Sequence, residues 1–175
     1  MRKSRTSSRT DEFMEFATGR AGHLHRSACL LTSGDTHLAE DLVQETLSRM
    51  YTLWGRMSRI DNPAAYAQTV LVRTYLTHRR RYSAAERPLA ELPDTPGHRG
   101  SDDPALRLAL LEALRELPPK DRVVVVLRYW EDRSVEETAD AMNVSSAAVR
   151  TRSTRALAKL RERLGGSVAE LITPA

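Results

Sequence analysis

Apolar residues recur at helical spacing along most of the chain from Glu12 to Leu164. In one segment, four of them fall three or four positions apart, and side chains at that spacing share one face of an α-helix. These residues are Val43, Leu47, Met50 and Trp54. The pattern predicts a helix that starts near Asp35 or Thr36 and buries this stripe.

Helix-capping residues divide the pattern into separate segments. Asn62-Pro63 and Asp103-Pro104 each place a capping side chain before a proline in the first turn, where the missing N–H of proline costs nothing. Pro118-Pro119 ends the segment that Asp103-Pro104 begins. The β-branched run Val123–Val126 lies among charged residues in a helix-length segment, so we interpret it as buried helix. The predicted fold class is all-α, with two small helical domains.

The stretch from Ser83 to Asp103 lacks helical spacing and contains three prolines and two glycines. Five acidic residues against two arginines make it acidic in a basic protein. Such a segment is more typical of a flexible linker than of a compact domain, and at about 3.3 Å per residue it can span roughly 70 Å. The predicted organisation is a disordered basic tail (1–11), a helical domain (12–82), the linker (83–103), a second helical domain (104–169) and a tail (170–175).

The segment 134–164 predicts a helix-turn-helix. Ser134 and Glu137 have the spacing of a capping box at the start of the first helix. Asn143 tolerates the left-handed backbone conformation that often closes a helix, and Ser145-Ser146 offers a cap for the second helix.

The second helix of this motif carries cations on the side opposite its apolar face. From Ser145 to Arg161 the sequence has five cations and no acid. A DNA-reading helix needs small residues at its start, then donors for base edges and cations for phosphates. A solvated basic helix in an α-hairpin is the alternative. The polar face comprises Arg150, Thr151, Thr154 and Arg155, with Arg152 and Lys159 beside it.

Two faces of the N-terminal domain are also polar. Asp41, Gln44 and Glu45 line the side of their helix away from the apolar stripe, and the pattern alone favours a solvated acidic face. On the helix that starts at Pro63, a second polar face carries basic residues, and cations near a helix C-terminus also complement its dipole. Its members are Arg73, Thr77, Arg80 and Arg81.

Charge adds weight to nucleic-acid binding. The chain of 175 residues has 27 basic and 23 acidic residues, a formal charge of +4 and a pI near 9.6. All but three of the cations are arginine, which suits phosphates and guanine edges. A GC-rich genome also encodes an arginine-rich, lysine-poor chain, so the positions of the arginines carry the argument rather than their number.

Several classes of protein are disfavoured. The longest apolar run, Val123–Leu127, is far short of the roughly 20 residues that cross a bilayer, and the N-terminus lacks the apolar core of a signal peptide. A single cysteine, Cys29, indicates a reducing compartment, so we predict a soluble cytoplasmic protein. His25 and Cys29 are one turn apart, but no further cysteine or nearby histidine completes a metal site. No nucleophile–base set or glycine-rich phosphate loop is present, so we predict neither an enzyme nor a cofactor.

Taken with these features, the sequence resembles the bacterial extracytoplasmic-function (ECF) sigma factors, and among them the sigma-E-like group of actinobacteria. The similarity covers 12–169 and is most specific at Ala39–Thr46, which resembles region 2.2. Leu117–Trp130 resembles region 4.1 and Ser134–Leu160 resembles region 4.2. Regions 1.1 and 3 have no counterpart, as expected for this smallest class of sigma factor.

The resemblance implies a function and partners. It implies a factor that binds core RNA polymerase at the β′ clamp helices and β flap and directs initiation at promoter DNA. Asp41, Gln44 and Glu45 match the polymerase-docking positions. The linker matches the segment threaded along the RNA path. An anti-sigma factor is a further partner that the family suggests, without direct insertion of this chain into a membrane.

The resemblance also assigns promoter-reading positions. The loop 56–62 matches one that accepts a flipped base, and the helix after it matches the part that melts and reads the −10 element. The −10 positions are Asn62, Tyr66, Arg73, Thr77, Arg80 and Arg81, and the −35 positions are Ser146, Arg150, Thr151, Arg152, Thr154, Arg155 and Lys159. Many relatives carry asparagine in place of Arg73 and a bulky residue in place of Thr154, so the promoter sequence does not transfer.

Two other functions fit parts of the sequence. A stand-alone helix-turn-helix regulator could dimerise on a palindrome, but the sequence offers no spare dimerisation helix. An interaction adaptor could use the basic helices to bind an acidic protein. Initiation with core polymerase distinguishes a sigma factor from the regulator, and salt-sensitive DNA binding distinguishes it from the adaptor.

Overall fold

The computed structural model of the chain describes residues 2–82 and 104–165, and these residues form seven α-helices. The helices are α1 (Arg2–Thr32), α2 (Thr36–Leu53), α3 (Pro63–Tyr82), α4 (Pro104–Arg115), α5 (Pro119–Val125), α6 (Val135–Met142) and α7 (Ser146–Leu164). A 3₁₀ helix, Trp54–Arg59, follows α2, and a π-helical turn, Val126–Trp130, follows α5. The predicted all-α class is confirmed. The predicted linker (83–103), with its cap Asp103, and the predicted tail (170–175) lie outside the described residues.

Helix starts coincide with the caps that the sequence predicts. The side chains of Asp35, Asn62 and Ser145 each accept a hydrogen bond from the backbone N–H three residues on, at 3.0 to 3.1 Å. Ser134 and Glu137 form the reciprocal capping box at the start of α6. These bonds satisfy N–H groups that the first helical turn leaves without a partner, which fixes where α2, α3, α6 and α7 begin.

Helix α1 begins at Arg2, so the predicted disordered tail over 1–11 is corrected for all but Met1, which is not described. Composition misses this segment because it reveals neither the local side-chain bonds nor the contacts with distant residues that stabilise the helix. The Ser8 hydroxyl donates to a carboxylate oxygen of Glu12, 3.1 Å away and one turn on. The Arg9 guanidinium lies against Gly55 in the 3₁₀ helix, where no side chain could be accommodated without displacing it.

The N-terminal domain consists of α1, α2 and α3, which pack side by side around a common core. The predicted stripe on α2 faces that core, with Val43 and Met50 buried and the other two residues half-buried. Trp54 closes one end of the core, where its ring lies 5.3 Å from that of Phe13 and 4.9 Å from that of Phe16, measured between centroids. Tyr75 of α3 is fully buried at the other side of the same core.

The C-terminal domain consists of α4 to α7, and its buried apolar residues belong to one core cluster with those of the N-terminal domain. The valine run, predicted to be buried helix, spans the end of α5 and the start of the π-helical turn, and all four valines are buried. Leu114 of α4 and Leu160 of α7 are buried in the same cluster. This packing holds α7 on the domain by one side only.

The two domains contact each other through buried polar groups. Arg122 of α5, only 6% exposed, donates to the Leu31 carbonyl of α1 at 2.8 Å and to the Tyr75 hydroxyl of α3 at 3.1 Å. The same guanidinium also donates to carbonyls at the end of α4, so it joins both domains.

Glu131, just after the π-helical turn, forms a second interdomain contact. Its carboxylate lies 2.8 Å from Nε2 of His23 and accepts hydrogen bonds from Gln68, at 3.1 Å, and from Ser27. Arg133 donates to the Thr69 hydroxyl of α3 at 3.1 Å. One face of α3 therefore lies against the C-terminal domain.

Candidate nucleic-acid interface

Helices α6 and α7 meet at a tight turn that forms the predicted helix-turn-helix. Asn143 adopts the left-handed conformation, with φ 55° and ψ 51°. Its N–H donates to the Asp140 carbonyl at 3.2 Å, and the N–H of Val144 donates to the Ala139 carbonyl at 3.0 Å. The turn thereby satisfies the last carbonyls of α6 and redirects the chain into α7.

Apolar packing sets which side of α7 points outward. Val149, Ala156 and Leu160 form the apolar face of α7 and are buried. Thr138, Ala139 and Met142 of α6 are buried too, and Val144 in the turn is half-buried. Because these side chains occupy one side of α7, the opposite side is left for polar residues.

Three of the predicted −35 residues lie on that outward side. Arg150, Thr151 and Thr154 are exposed. The Arg150 guanidinium pairs with Glu136 of α6 at 3.2 Å, and both side chains are more than half exposed. Exposed ion pairs are worth little and exchange readily, so this pair leaves Arg150 free to take another acceptor.

A second row of predicted −35 residues turns toward α4 and α5 instead. Arg152 donates to the Asp121 carboxylate at 2.8 Å, and Arg155 donates to it through two nitrogens, each at 2.7 Å. The Lys159 ammonium donates to the Glu116 carbonyl at 2.9 Å. Ser146 is the first residue of α7 and is half-buried. The residues predicted to form one DNA-reading face therefore fall into two groups. One group points outward, and the other is hydrogen-bonded to the rest of the domain.

Asp121 was not singled out by the sequence, although its side chain is only 1% exposed. Burial raises its pKa, but hydrogen bonds from Arg155 and then Arg152, with their charges, outweigh burial, so the net pKa is lowered. The same contact raises the pKa of Arg155, first through the hydrogen bond and then through the charge of Asp121. Asp121 and Arg155 are therefore both ionised at neutral pH.

The predicted −10 residues follow α3 from its cap to its last turn. Asn62, Arg80 and Arg81 are exposed, and Tyr66 and Thr77 are half-buried. Arg73 lies between them and contacts the other domain. Its Nε donates to the Ala141 carbonyl at 3.0 Å and its Nη2 to the Asp140 carbonyl at 3.1 Å, at the C-terminus of α6.

The predicted polymerase-docking residues lie together on α2. Asp41, Gln44 and Glu45 are exposed on the side opposite the buried Val43. Glu45 pairs with Arg49 one turn on, at 2.5 Å, and this pair too is exposed. The structure thus gives an acidic outward face that the C-terminal domain does not cover.

The structure offers little for other chemistry. The Cys29 sulfur lies 3.8 Å from the ring nitrogens of His25, but within 2–82 and 104–165 no three metal-binding side chains come together. Burial is the main influence that raises the pKa of Cys29 to about 11. Among the described helices, none is long and apolar enough to cross a membrane.

Comparison with known protein families identifies both domains. Residues 20–85 match the family described as Sigma-70 region 2, and residues 107–160 match Sigma-70, region 4. The chain is 39% identical to the RNA polymerase sigma-E factor of Streptomyces coelicolor over 153 residues, which cover 87% of this chain and 86% of that protein. It is 37% identical to the RNA polymerase sigma factor CarQ of Myxococcus xanthus over 134 residues, or 73% and 75% of the two chains.

The fold is likewise similar to that of a solved structure. The sigma factor RpoE of Bartonella quintana, crystallised with the anti-sigma factor NepR, superposes with a TM-score of 0.71. The superposition covers 89% of this chain and 98% of the other at 22% sequence identity. The likeness supports the two-domain helical architecture.

Proposed function

This chain belongs to the ECF family of RNA polymerase sigma factors, and from that premise we propose how its surfaces carry out the family's function. A sigma factor directs promoter-specific transcription initiation by RNA polymerase. We propose that α7 reads the −35 element and that α2 docks on core polymerase. Reading and melting of the −10 element are assigned to α3 and to the segment 56–62 before it, which begins within the 3₁₀ helix. The observation that carries this assignment is the outward face of α7 in a helix-turn-helix, since α7 has no acidic residue from Ser146 to Arg161.

Reading of the −35 element follows from the placement of α7. The recognition helix of a helix-turn-helix enters the major groove with its N-terminal residues against base edges. Arg150, Thr151 and Thr154 are exposed in the first half of α7. An arginine guanidinium can donate two hydrogen bonds to one guanine, so Arg150 is the proposed principal base reader.

Recognition of the −10 element is assigned to α3 on different grounds. Unpaired bases bind by stacking on aromatic rings while cations follow the backbone. Tyr66 supplies a half-buried ring near the start of α3, and Arg80 and Arg81 supply exposed cations at its end. Binding energy for the separated strand then offsets the unstacking of the duplex.

The remaining parts of the proposal concern partners and location. The acidic face of α2 (Asp41, Gln44 and Glu45) is proposed to bind the basic β′ clamp helices of core polymerase, and the C-terminal domain to bind the β flap. An anti-sigma factor is a further proposed partner. The polymerase performs nucleotidyl transfer, so this chain is proposed not to be an enzyme. Its proposed place of action is the cytoplasm, where polymerase meets chromosomal DNA.

Run-off transcription tests the proposal. The purified chain is mixed with actinobacterial core polymerase and fragments of genomic DNA, and transcript 5′ ends are sequenced. We expect initiation at a set of sites that share two sequence elements and that core polymerase alone does not use. Salt-sensitive DNA binding without initiation would favour the stand-alone regulator, and the absence of both would favour the adaptor.

A further inference from the structure

A buried carboxylate lies directly behind the DNA-facing helix. Asp121 stands in the first turn of α5, and its side chain is 1% exposed. Two arginines of α7 converge on it, with Nη1 of Arg152 at 2.8 Å and Nε and Nη2 of Arg155 at 2.7 Å. We call these three residues the Asp121 cluster.

The geometry of Arg155 leaves much of its guanidinium available. A guanidinium carries five N–H groups in a rigid plane, and the two that contact Asp121 form one edge of that plane. The remaining donors face away from the carboxylate, and the side chain of Arg155 is 58% exposed. Arg155 is therefore held at a fixed angle on the domain surface with donors to spare.

Asp121 itself cannot contact DNA. Its carboxylate is covered by α7, and its negative charge would repel phosphate. The cluster as a whole has two positive groups and one negative group, so it still attracts a phosphate backbone. Any effect of Asp121 on DNA must consequently pass through the arginines that it holds.

Arg150 provides the contrast within the same helix. Its partner Glu136 is 66% exposed, and the two side chains meet through one nitrogen at 3.2 Å. Such a pair leaves the arginine mobile, whereas a two-nitrogen contact with a buried carboxylate restricts its rotamers. Helix α7 thus carries one adaptable arginine and one fixed arginine.

We propose that Asp121 is a positioning residue for promoter reading, which fixes the Arg155 guanidinium, with Arg152 behind it, in the orientation that contacts the −35 element. The inference rests on the proposed function. A side chain that is already ordered loses less conformational entropy when it binds DNA. A guanidinium in a fixed orientation can also donate to fewer arrangements of base-edge acceptors, so it distinguishes between sequences more sharply. Asp121 therefore contributes to the discrimination between −35 sequences more than to total DNA affinity.

The test compares Asp121→Asn with the unaltered chain, each as full-length protein in complex with core polymerase. The probes are the promoter that the holoenzyme itself selects and the same duplex with a scrambled −35 element. We expect affinity for the selected promoter to fall about tenfold, the size expected when an arginine must be ordered on binding. Affinity for the scrambled duplex should stay equal or rise, because the substitution removes one negative charge.

Two further variants separate positioning from mere stabilisation. If Asp121 acts through Arg155, then adding Asp121→Asn to Arg155→Ala should cause little further loss of discrimination. Glu136→Gln is the matched control. It makes the same change of charge beside an arginine of α7, but the ion pair that it breaks, Glu136 with Arg150, is exposed rather than buried. It should leave discrimination unchanged.

The outcomes are distinct. A holoenzyme that initiates nowhere overturns the proposed function and this role with it. The positioning role alone is overturned if the losses of discrimination caused by Asp121→Asn and Arg155→Ala add up in the double variant. It is also overturned if Asp121→Asn weakens binding equally to the selected promoter and to the scrambled duplex. If Asp121→Asn proves misfolded by circular dichroism, Arg155→Lys replaces it, since lysine keeps the charge but cannot form the two-nitrogen contact. Unchanged discrimination by Arg155→Lys would then overturn the proposal.

Discussion

Nε2 of Gln68 on α3 donates a hydrogen bond to Oε1 of Glu131, 3.1 Å away, and thereby joins the two domains. The same carboxylate binds His23 and Ser27 of α1, and its side chain is 8% exposed. A buried carboxylate with three partners from the other domain is the densest polar contact between the domains described above.

Replacing Glu131 should therefore loosen this arrangement. In Glu131→Ala, the polar groups of Ser27 and Gln68 lose their acceptor, at a cost of about 1–3 kcal/mol. We expect a larger radius of gyration by small-angle scattering and a lower free energy of unfolding. Glu136 is an exposed carboxylate whose partner lies in its own domain, so Glu136→Ala should change neither the radius of gyration nor the free energy of unfolding. Equal radii for the two variants would show that Glu131 does not hold the domains together.

The buried guanidinium of Arg122 should be essential for stability. It donates five hydrogen bonds of 2.7 to 3.1 Å, four of them to backbone carbonyls of α1 and α4 and the segment after α4. Arg122→Ala removes this donor from all five acceptors and should lower the free energy of unfolding by at least about 3 kcal/mol in urea. Arg122→Lys should not restore it, because an ammonium has only three donors. Arg20→Ala, at an exposed position, serves as the control.

Reversing the acidic face of α2 should abolish polymerase binding. The double substitution Asp41→Lys, Glu45→Lys removes two exposed carboxylates, and the lost pair of Glu45 with Arg49 costs only about 0.3–0.5 kcal/mol. Circular dichroism should thus remain helical, while the variant fails to co-elute with core polymerase on a sizing column. Asp11→Lys with Glu15→Lys makes the same change at the same spacing on α1 and should still co-elute. Co-elution of both variants would place the docking surface elsewhere.

Truncation of Arg150 should weaken use of the −35 element. Its exposed pair with Glu136 leaves the guanidinium available for a base edge, and one such contact is worth about 1–3 kcal/mol of discrimination. We expect Arg150→Ala to reduce initiation from the selected promoter without affecting core binding. Arg161→Ala removes an exposed cation nearer the end of α7 and should have a smaller effect that falls equally on all sequences. The same loss for both variants would mean that Arg150 supplies only charge.

The thiol of Cys29 should react slowly in the folded chain. Its pKa is raised to about 11, mainly by burial, with Arg107 lowering it and Glu40 raising it by lesser amounts. At pH 8.5 an unfolded cysteine is about half ionised, so alkylation by iodoacetamide should be about a hundredfold slower in the native state than in urea. Fast native labelling would contradict the raised pKa.

The same shift predicts a pH dependence of stability. The pKa of the thiol is higher in the folded chain than in the unfolded chain. As pH rises from about 8.5 towards 11, the unfolded chain therefore loses this proton while the folded chain keeps it, and the free energy of unfolding falls over that window. Burial raises the pKa of Tyr75 as well, so a comparison with Cys29→Ala isolates the contribution of the thiol. That variant should show a shallower decline.

Much of the fold could be predicted because its determinants are local. Asp35, Asn62, Ser134 and Ser145 each cap a helix through a neighbour three residues on, and Asn143 closes α6 within the same turn. Local spacing also indicates which side of α7 faces the core. These features depend on residues within one or two turns, and the sequence displays them directly.

The polar contacts between helices could not be predicted in this way. An aspartate after two prolines is already explained by the dipole of a helix start, so nothing near Asp121 points to Arg155, 34 residues later. Glu131 finds its partners in Ser27 and Gln68, more than 60 residues away. Their pairing depends on how the packed helices are juxtaposed, which spacing along one helix does not encode.

The guanidinium of Arg73 rests on two carbonyl oxygens at the end of α6. If it also reads a base of the −10 element, the C-terminal domain and the promoter compete for the same N–H groups. The apparent dissociation constant for that element then exceeds the intrinsic one by the reciprocal of the fraction of molecules in which Arg73 has left α6. A substitution in α6 that never touches DNA can therefore alter promoter occupancy.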